Sequence, residues 1–153
     1  MKKFLSLALA LVMVLGTLTA CGGGEEEDVI KVGILLPHVG DQSYMDVTAH
    51  AEVLLEEKYG DKIQVDVIEM GDDAADWEPA NRLAVEEGYD IIVSGNWQYE
   101  GAMLAVAKDN PEVKYVNFDY SDAAANALPN VYAITYAAHE IGYLTGVVAA
   151  VKS

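Results

Sequence analysis

The feature that most narrows the possible folds is an alternation, repeated from Val29 to Val151, of short apolar runs with stretches of helical spacing. Val29 to Leu36 is a near-continuous apolar run, the pattern of a strand buried on both faces of a parallel sheet. Asp46 to Tyr59 then places Val47, His50, Ala51, Leu54, Leu55 and Lys58 at 3.6-residue spacing, with Gly60 suited to end a helix. Ile63 to Met70 is β-branched and alternating, a second strand. A second helix is expected to begin at Asp76, as cap, with Pro79 in its first turn, and to run to Gly88. Asp90 to Ser94 is a short buried strand. Gly101 to Asn110 is a helix halted by Pro111, and Lys114 to Phe118 a fourth strand. Val131 to Thr135 is a fifth, and Ala138 to Val151 a last amphipathic helix.

Strands that alternate with helices through short connections require crossovers, which are almost always right-handed. The expected fold is therefore α/β, a doubly wound parallel sheet of strand order 2-1-3-4-5. In open sheets of this kind ligands sit at the carboxyl ends of the strands. The loops expected there carry Asp41, Ser43, Tyr44 and Met45 after strand one and Asn96, Trp97, Gln98 and Tyr99 after strand three. Asp119, Tyr120, Ser121 and Asp122 follow strand four, and Tyr136 and His139 follow strand five. Aromatic faces beside carboxylates suit a sugar or nucleoside, whose apolar ring face and hydroxyls must both be satisfied. Each residue also has a plainer reading. Asp41 suits a helix cap, Tyr44 and Trp97 suit packing against a helix, and only Asp119, at the end of a buried strand, demands partners on position alone.

Several classes of function are excluded or disfavoured. The chain of 153 residues has a formal net charge of −16 and nine basic residues, too few to form the clustered cationic surface that nucleic acid requires. His38, His50 and His139 lack metal-ligand spacing and read as surface or core residues, and no metal or cofactor is expected. There is no Gly-x-Ser-x-Gly, His-Glu-x-x-His or phosphate-loop motif, and Gly22-Gly23-Gly24 follows no strand. Asp41 and Asp119 are the remaining candidates for an acid/base pair, and binding without turnover is the simpler reading.

The N-terminus reads as a targeting segment over residues 1–20: Lys2 and Lys3, an apolar stretch from Phe4 to Leu15, then Leu18-Thr19-Ala20-Cys21. Its removal leaves 25 acids against 7 bases, a formal charge of −18. Leu18 to Cys21 resembles a bacterial lipobox, so Cys21, the only cysteine, is the expected lipidation site and no internal disulfide can form. Residues 21–28, Cys21 followed by three glycines and four acids, read as a flexible linker, and residues 29–153 as the folded lobe.

Gly40-Asp41-Gln42-Ser43-Tyr44-Met45 resembles the Asp-Asp-Lys-Ser-Phe-Asn signature of the basic membrane protein family, lipoprotein substrate-binding components of ABC importers that include purine nucleoside receptors. Three further stretches resemble that family in order: Tyr89 to Gly95, Asn110 to Tyr115 with Asp119, and Glu140 to Ala150, the last close to its Glu-x-x-Phe-Leu-Ala-Gly helix. The resemblance implies a type I periplasmic-binding lobe. It puts Tyr44 in the place of a base-stacking Phe and Asp119 in that of a ribose-binding carboxylate, while Ser43 keeps the family residue and Trp97 falls in the loop where an aromatic or glycine is common. Gly40 and Met45 depart from the signature. Family members have two lobes, so the chain is expected to be an N-terminal portion, to bind ligand weakly or not at all alone, and to expose an apolar patch.

The expected function is that of a lipid-anchored, extracytoplasmic solute-binding protein that delivers a nucleoside to an ABC permease, with no bond made or broken. The expected site is Asp41, Ser43, Tyr44, Asn96, Trp97 and Asp119. A membrane-tethered ligand sensor and an extracytoplasmic nucleoside hydrolase using Asp41 and Asp119 are the alternatives.

Overall fold

The computed structural model describes residues 29–120 and 128–152. The targeting segment, Cys21, the linker, Ser121, Asp122 and Ser153 lie outside the described residues. Five strands form one parallel sheet in the order β2-β1-β3-β4-β5. They are β1 (Ile30–Leu36), β2 (Ile63–Glu69), β3 (Ile91–Gly95), β4 (Lys114–Phe118) and β5 (Val131–Ile134). The helices are α1 (Tyr44–Ala49), α2 (Ala51–Tyr59), α3 (Ala74–Glu86), α4 (Glu100–Asp109) and α5 (Ala138–Lys152), with a 3₁₀ turn at Gly60–Lys62. The expected doubly wound sheet and its order are those observed.

Pleating sorts each strand between two faces. Ile92 and Ser94 of β3 sit in register with Tyr115 and Asn117 of β4, all four are buried, and this face packs on α3 and α4. The opposite face presents Val32 and Ile34 of β1 beside Ile91 and Val93 of β3, with α1 and α2 packed against β1 and β2. Burying some fifteen apolar side chains in one cluster, at roughly 1.5–3 kcal/mol for each large one, is what holds the layers together. Asn130 fixes the entry to β5: its buried amide nitrogen donates to the carbonyls of Ala107, Asn110 and Val113, at 3.0, 3.1 and 3.1 Å, satisfying the C-terminal end of α4.

Besides shifts of one or two residues at other element ends, four local details differ from the sequence reading. The helix expected over 46–59 begins at Tyr44 and is broken at His50, two residues after Thr48, whose Oγ1 bonds back to the Tyr44 carbonyl, a contact that bends helices. The cap of α3 is Asp73, which accepts from Ala75 N at 2.9 Å, so the helix starts before Asp76 and Pro79 lies inside it. Strand β3 begins at Ile91, because the Asp90 carboxylate accepts from Lys31 N at 2.8 Å instead of extending the strand. The last helix is not amphipathic in use: none of its residues is buried, and Ile141, Leu144, Val148 and Val151 are 62–79% exposed.

Candidate functional site

The carboxyl edge of the sheet is where the chain departs from ordinary backbone geometry. Among the described residues, the non-glycine positions with positive φ are Gln42 (60°), Asn96 (103°) and Asp119 (63°), in the loops after β1, β3 and β4. Strain of this kind persists only where neighbouring contacts over-determine it, and it concentrates at functional sites.

The loop after β1 is held from within. Asp46 accepts from the backbone N–H groups of Gly40 and Gln42, and Ser43 caps α1 by accepting from Met45 N at 3.1 Å. Asp41 accepts from Ser43 N at 2.8 Å and contacts His38 Nε2 at 3.1 Å. Hydrogen bonds from Ser43, with a smaller contribution from His38, hold the Asp41 carboxyl below its usual range. His38 spans two carboxylates, since its Nδ1 lies 2.7 Å from Asp72, and Asp72 first, then Asp41, raises its pKa. Met45 points inward to the core.

Two clefts meet at Tyr44. One, of about 390 Å³, is polar and is lined by His38, Asp41, Ser43, Asp72, Trp77, Asn96, Gln98 and Tyr99 as well as Tyr44. Its back wall is an edge-to-face pair, Trp77 and Tyr99, with ring centroids 4.5 Å apart, and Trp77 Nε1 is satisfied by the Gly71 carbonyl at 3.0 Å. The other, of about 600 Å³, is more apolar and places the Asp119 carboxylate with Tyr44, Phe118 and Tyr136. The Tyr44 ring packs edge-on to Phe118 at 6.5 Å, and its phenol accepts from Asn96 Nδ2 at 2.8 Å. The Phe118 ring in turn lies against Gly95, where a Cβ would fall 1.7 Å from its Cζ.

Asp41, Ser43, Tyr44 and Asn96 are thus brought together in one cleft, and Asp119 stands in the other with Tyr44 shared between them. Trp97 lines neither and is 60% exposed. Asp41 and Asp119 do not share a cleft, as an acid/base pair acting on one bond must. His38, in the loop after β1, was read as a surface or core residue for want of metal-ligand spacing, and Asp72 and Trp77 were missed because the loop after β2 was not counted among those at the ligand edge, although the same topological rule includes it. Among the described residues, no group of three or more His, Cys, Asp or Glu is arranged to hold a metal, and no helix is long and apolar enough to cross a membrane.

Residues 32–153 match the family described as ABC transporter substrate-binding protein, PnrA-like. Among solved structures, an ABC transporter solute-binding protein from Conexibacter woesei is 26% identical with a TM-score of 0.61, over 76% of this chain and 38% of that one. A lipoprotein fragment from Peptoclostridium difficile 630 is 21% identical with a TM-score of 0.56, over 81% of this chain and 99% of that one. A solute-binding protein of an ABC transporter from R. palustris, solved with benzoate, is 18% identical with a TM-score of 0.53, over 69% of this chain and 32% of that one. The last two likenesses concern the fold alone. This chain spans well under half the length of the Conexibacter protein. No curated protein matches the sequence.

Proposed function

The chain belongs to the PnrA-like family of ABC transporter substrate-binding proteins, and from that membership we propose that it captures a nucleoside outside the cytoplasm, tethered through Cys21, for delivery to an ABC permease. The observation that carries the reading is the edge formed by Tyr44, Asn96 and Asp119, on which two clefts converge. Asp119 supplies acceptors for sugar hydroxyls beside the ring faces of Tyr44 and Tyr136, and Asn96 and Asp41 supply polar contacts on the other side of Tyr44. A nucleoside needs that combination of an aromatic surface for the base and carboxylate acceptors for the ribose.

Capture makes and breaks no bond. It exchanges hydration of hydroxyls and ring for fixed partners, and the strained loops hold those partners in place before ligand arrives, which lowers the ordering cost of binding. The residues named for the site, the lipid anchor and the permease partner all belong to this proposal.

A thermal-shift panel of nucleosides, free bases and sugars tests it. A ligand present at 100 times its dissociation constant adds about 2.7 kcal/mol to stability, enough to move the melting point by several degrees. A rise with adenosine, guanosine or inosine that Asp119→Ala abolishes supports the reading. A rise given by free sugars or by unrelated solutes, and not by nucleosides, overturns it.

A further inference from the structure

One wall of the polar cleft is built around a single imidazole. β1 and β2 continue their pairing beyond the strands, through Met70 N to the Leu36 carbonyl at 2.7 Å and Gly71 N to the Pro37 carbonyl at 3.0 Å, and this sets His38 opposite Asp72. The ring then reaches in two directions. Its Nδ1 lies 2.7 Å from the Asp72 carboxylate, in the loop after β2, and its Nε2 lies 3.1 Å from Asp41 Oδ2, in its own loop after β1. All three side chains line the cleft of about 390 Å³, with Ser43, Tyr44 and Asn96.

Proton counting decides what this arrangement can do. Ionised carboxylates only accept, and a neutral imidazole carries one N–H, so it satisfies one of the two and turns a lone pair toward the other. Both contacts are favourable at once only when both ring nitrogens are protonated. The Asp72 contact is the shorter, and Asp41 has the Ser43 N–H as a second partner. The one proton of a neutral ring therefore goes to Asp72, and Asp41 is released. That release reaches the ligand edge, because Asp41 is followed by Gln42, with φ of 60°, and by Ser43, the cap of the helix that begins at Tyr44. A left-handed non-glycine residue holds its conformation only while the contacts around it over-determine it. Those contacts are Asp46, on Gly40 N and Gln42 N, and Asp41, on Ser43 N; His38 pins the second of them.

The other charged groups around the ring are all acidic. The loop after β1 brings Asp41 and Asp46, the loop after β2 brings Asp72 and Asp73, and α3 brings Asp76, whose Oδ2 approaches Gly71. Tyr44 and Tyr99 present phenols to the same cleft, and no Lys or Arg lines it. Of the residue types present, only an imidazole changes charge near neutral pH, and His50 and His139 do not line the cleft.

We propose that His38 is a proton-operated staple for the ligand cleft: charged, it ties the Asp41 and Asp72 loops together in the binding shape, and neutral, it releases Asp41 and weakens capture. The inference rests on the nucleoside reading of this edge. Ligand that meets the stapled wall finds Asp41 in place, whereas a released wall must be ordered on binding. By linkage, a bound nucleoside strengthens the hold of His38 on its proton by the same factor. The carboxylates, Asp72 before Asp41, hold the His38 pKa above its ordinary 6.5, so capture is strongest below that raised value and weakens as pH rises through it.

The test is an NMR titration of the ¹⁵N-labelled chain with adenosine, a ligand neutral throughout, at about pH 5.5 and about pH 8.5, on either side of the histidine range. The parent is compared with His38→Gln, which is never charged, and His38→Arg, which always is. Expected for the parent is an affinity about 2- to 5-fold higher at the lower pH, the worth of one exposed ion pair, and for both variants an affinity independent of pH. In the ligand-free parent the amides of Asp41, Gln42 and Ser43 should shift with the midpoint of the His38 imidazole, and in His38→Gln they should not shift over that range. Equal parent affinity at the two pH values, a pH dependence that survives in His38→Gln, or amides that ignore the His38 midpoint would each overturn the staple. Adenosine that binds at neither pH contradicts the nucleoside reading instead, and the ligand-free titration then decides the staple alone.

Discussion

Asn96 Nδ2 donates to the Tyr44 phenol oxygen at 2.8 Å, tying the loop after β3 to the loop after β1 across 52 residues of chain. The bond sits between the two clefts, so it fixes the ring that both share. Removing the acceptor by Tyr44→Phe leaves the ring in place but leaves Asn96 held by Gln98 alone. Nucleoside affinity is expected to fall about 2- to 10-fold, the worth of one hydrogen bond of roughly 0.5–1.5 kcal/mol, with the melting point nearly unchanged; calorimetry and a thermal melt read the two effects.

Gly95 is required by packing rather than by its backbone angles. A Cβ there would meet three carbons of the Phe118 ring at 1.7–2.3 Å, so Gly95→Ala must displace Phe118 and, through it, Tyr44. The expected cost is about 1–3 kcal/mol of stability, read by urea denaturation, together with weakened nucleoside binding. Unaltered stability would show that the ring does not lie over residue 95.

Tyr115 is fully buried, and among the described residues its hydroxyl has no hydrogen-bond partner. Burial pushes its pKa up to about 12. The sign follows from linkage: below pH 10 the tyrosine is neutral in both states, and between about 10 and 12 the unfolded chain alone ionises, so stability falls as pH rises through that window. The loss is at most about 2–3 kcal/mol. Tyr115→Phe is expected to leave stability at pH 7 within about 1 kcal/mol of the parent and to remove this part of the alkaline loss, as denaturation curves at pH 8 and pH 11 would register.

His38 lies between Asp72 and Asp41, and both carboxylates favour its charged form. The contact is fully present below the ordinary histidine value of 6.5 and is lost as pH rises through the raised value in the folded protein. Followed by the imidazole proton resonances, His38 should titrate above 6.5, and Asp72→Asn should lower that value more than Asp41→Asn does. A titration at or below 6.5 would contradict the bridging geometry.

The strands were legible because a parallel strand buried on both faces must read as an apolar run, and Lys114 to Phe118 is bounded in the sequence as it is in the structure. The cap of α3 was not, because Asp72, Asp73 and Asp76 are all acceptable caps and only the path of the chain out of β2 selects Asp73. Half of the polar cleft was legible from the loops after β1 and β3. The pairing of His38 with Asp72 and of Tyr99 with Trp77 was not, because Asp72 and Trp77 come from beyond β2 and only the path of the chain there brings them to the loops after β1 and β3. Trp97 illustrates the reverse: an aromatic in the right loop whose side chain turns to solvent. The placement of α5 was illegible for a different reason, since a helix that is apolar on nearly every side gives no period from which a single buried face can be chosen.

The most direct test of the central claim is an NMR titration of the ¹⁵N-labelled chain with adenosine, guanosine and inosine up to millimolar concentration, a range that registers weak binding. Expected are saturable shifts confined to amides near Tyr44, Asn96 and Asp119, lost in Asp119→Ala. Shifts that cluster away from the carboxyl edge of the sheet, or no shift with any nucleoside, would contradict the assignment of that edge as a nucleoside site.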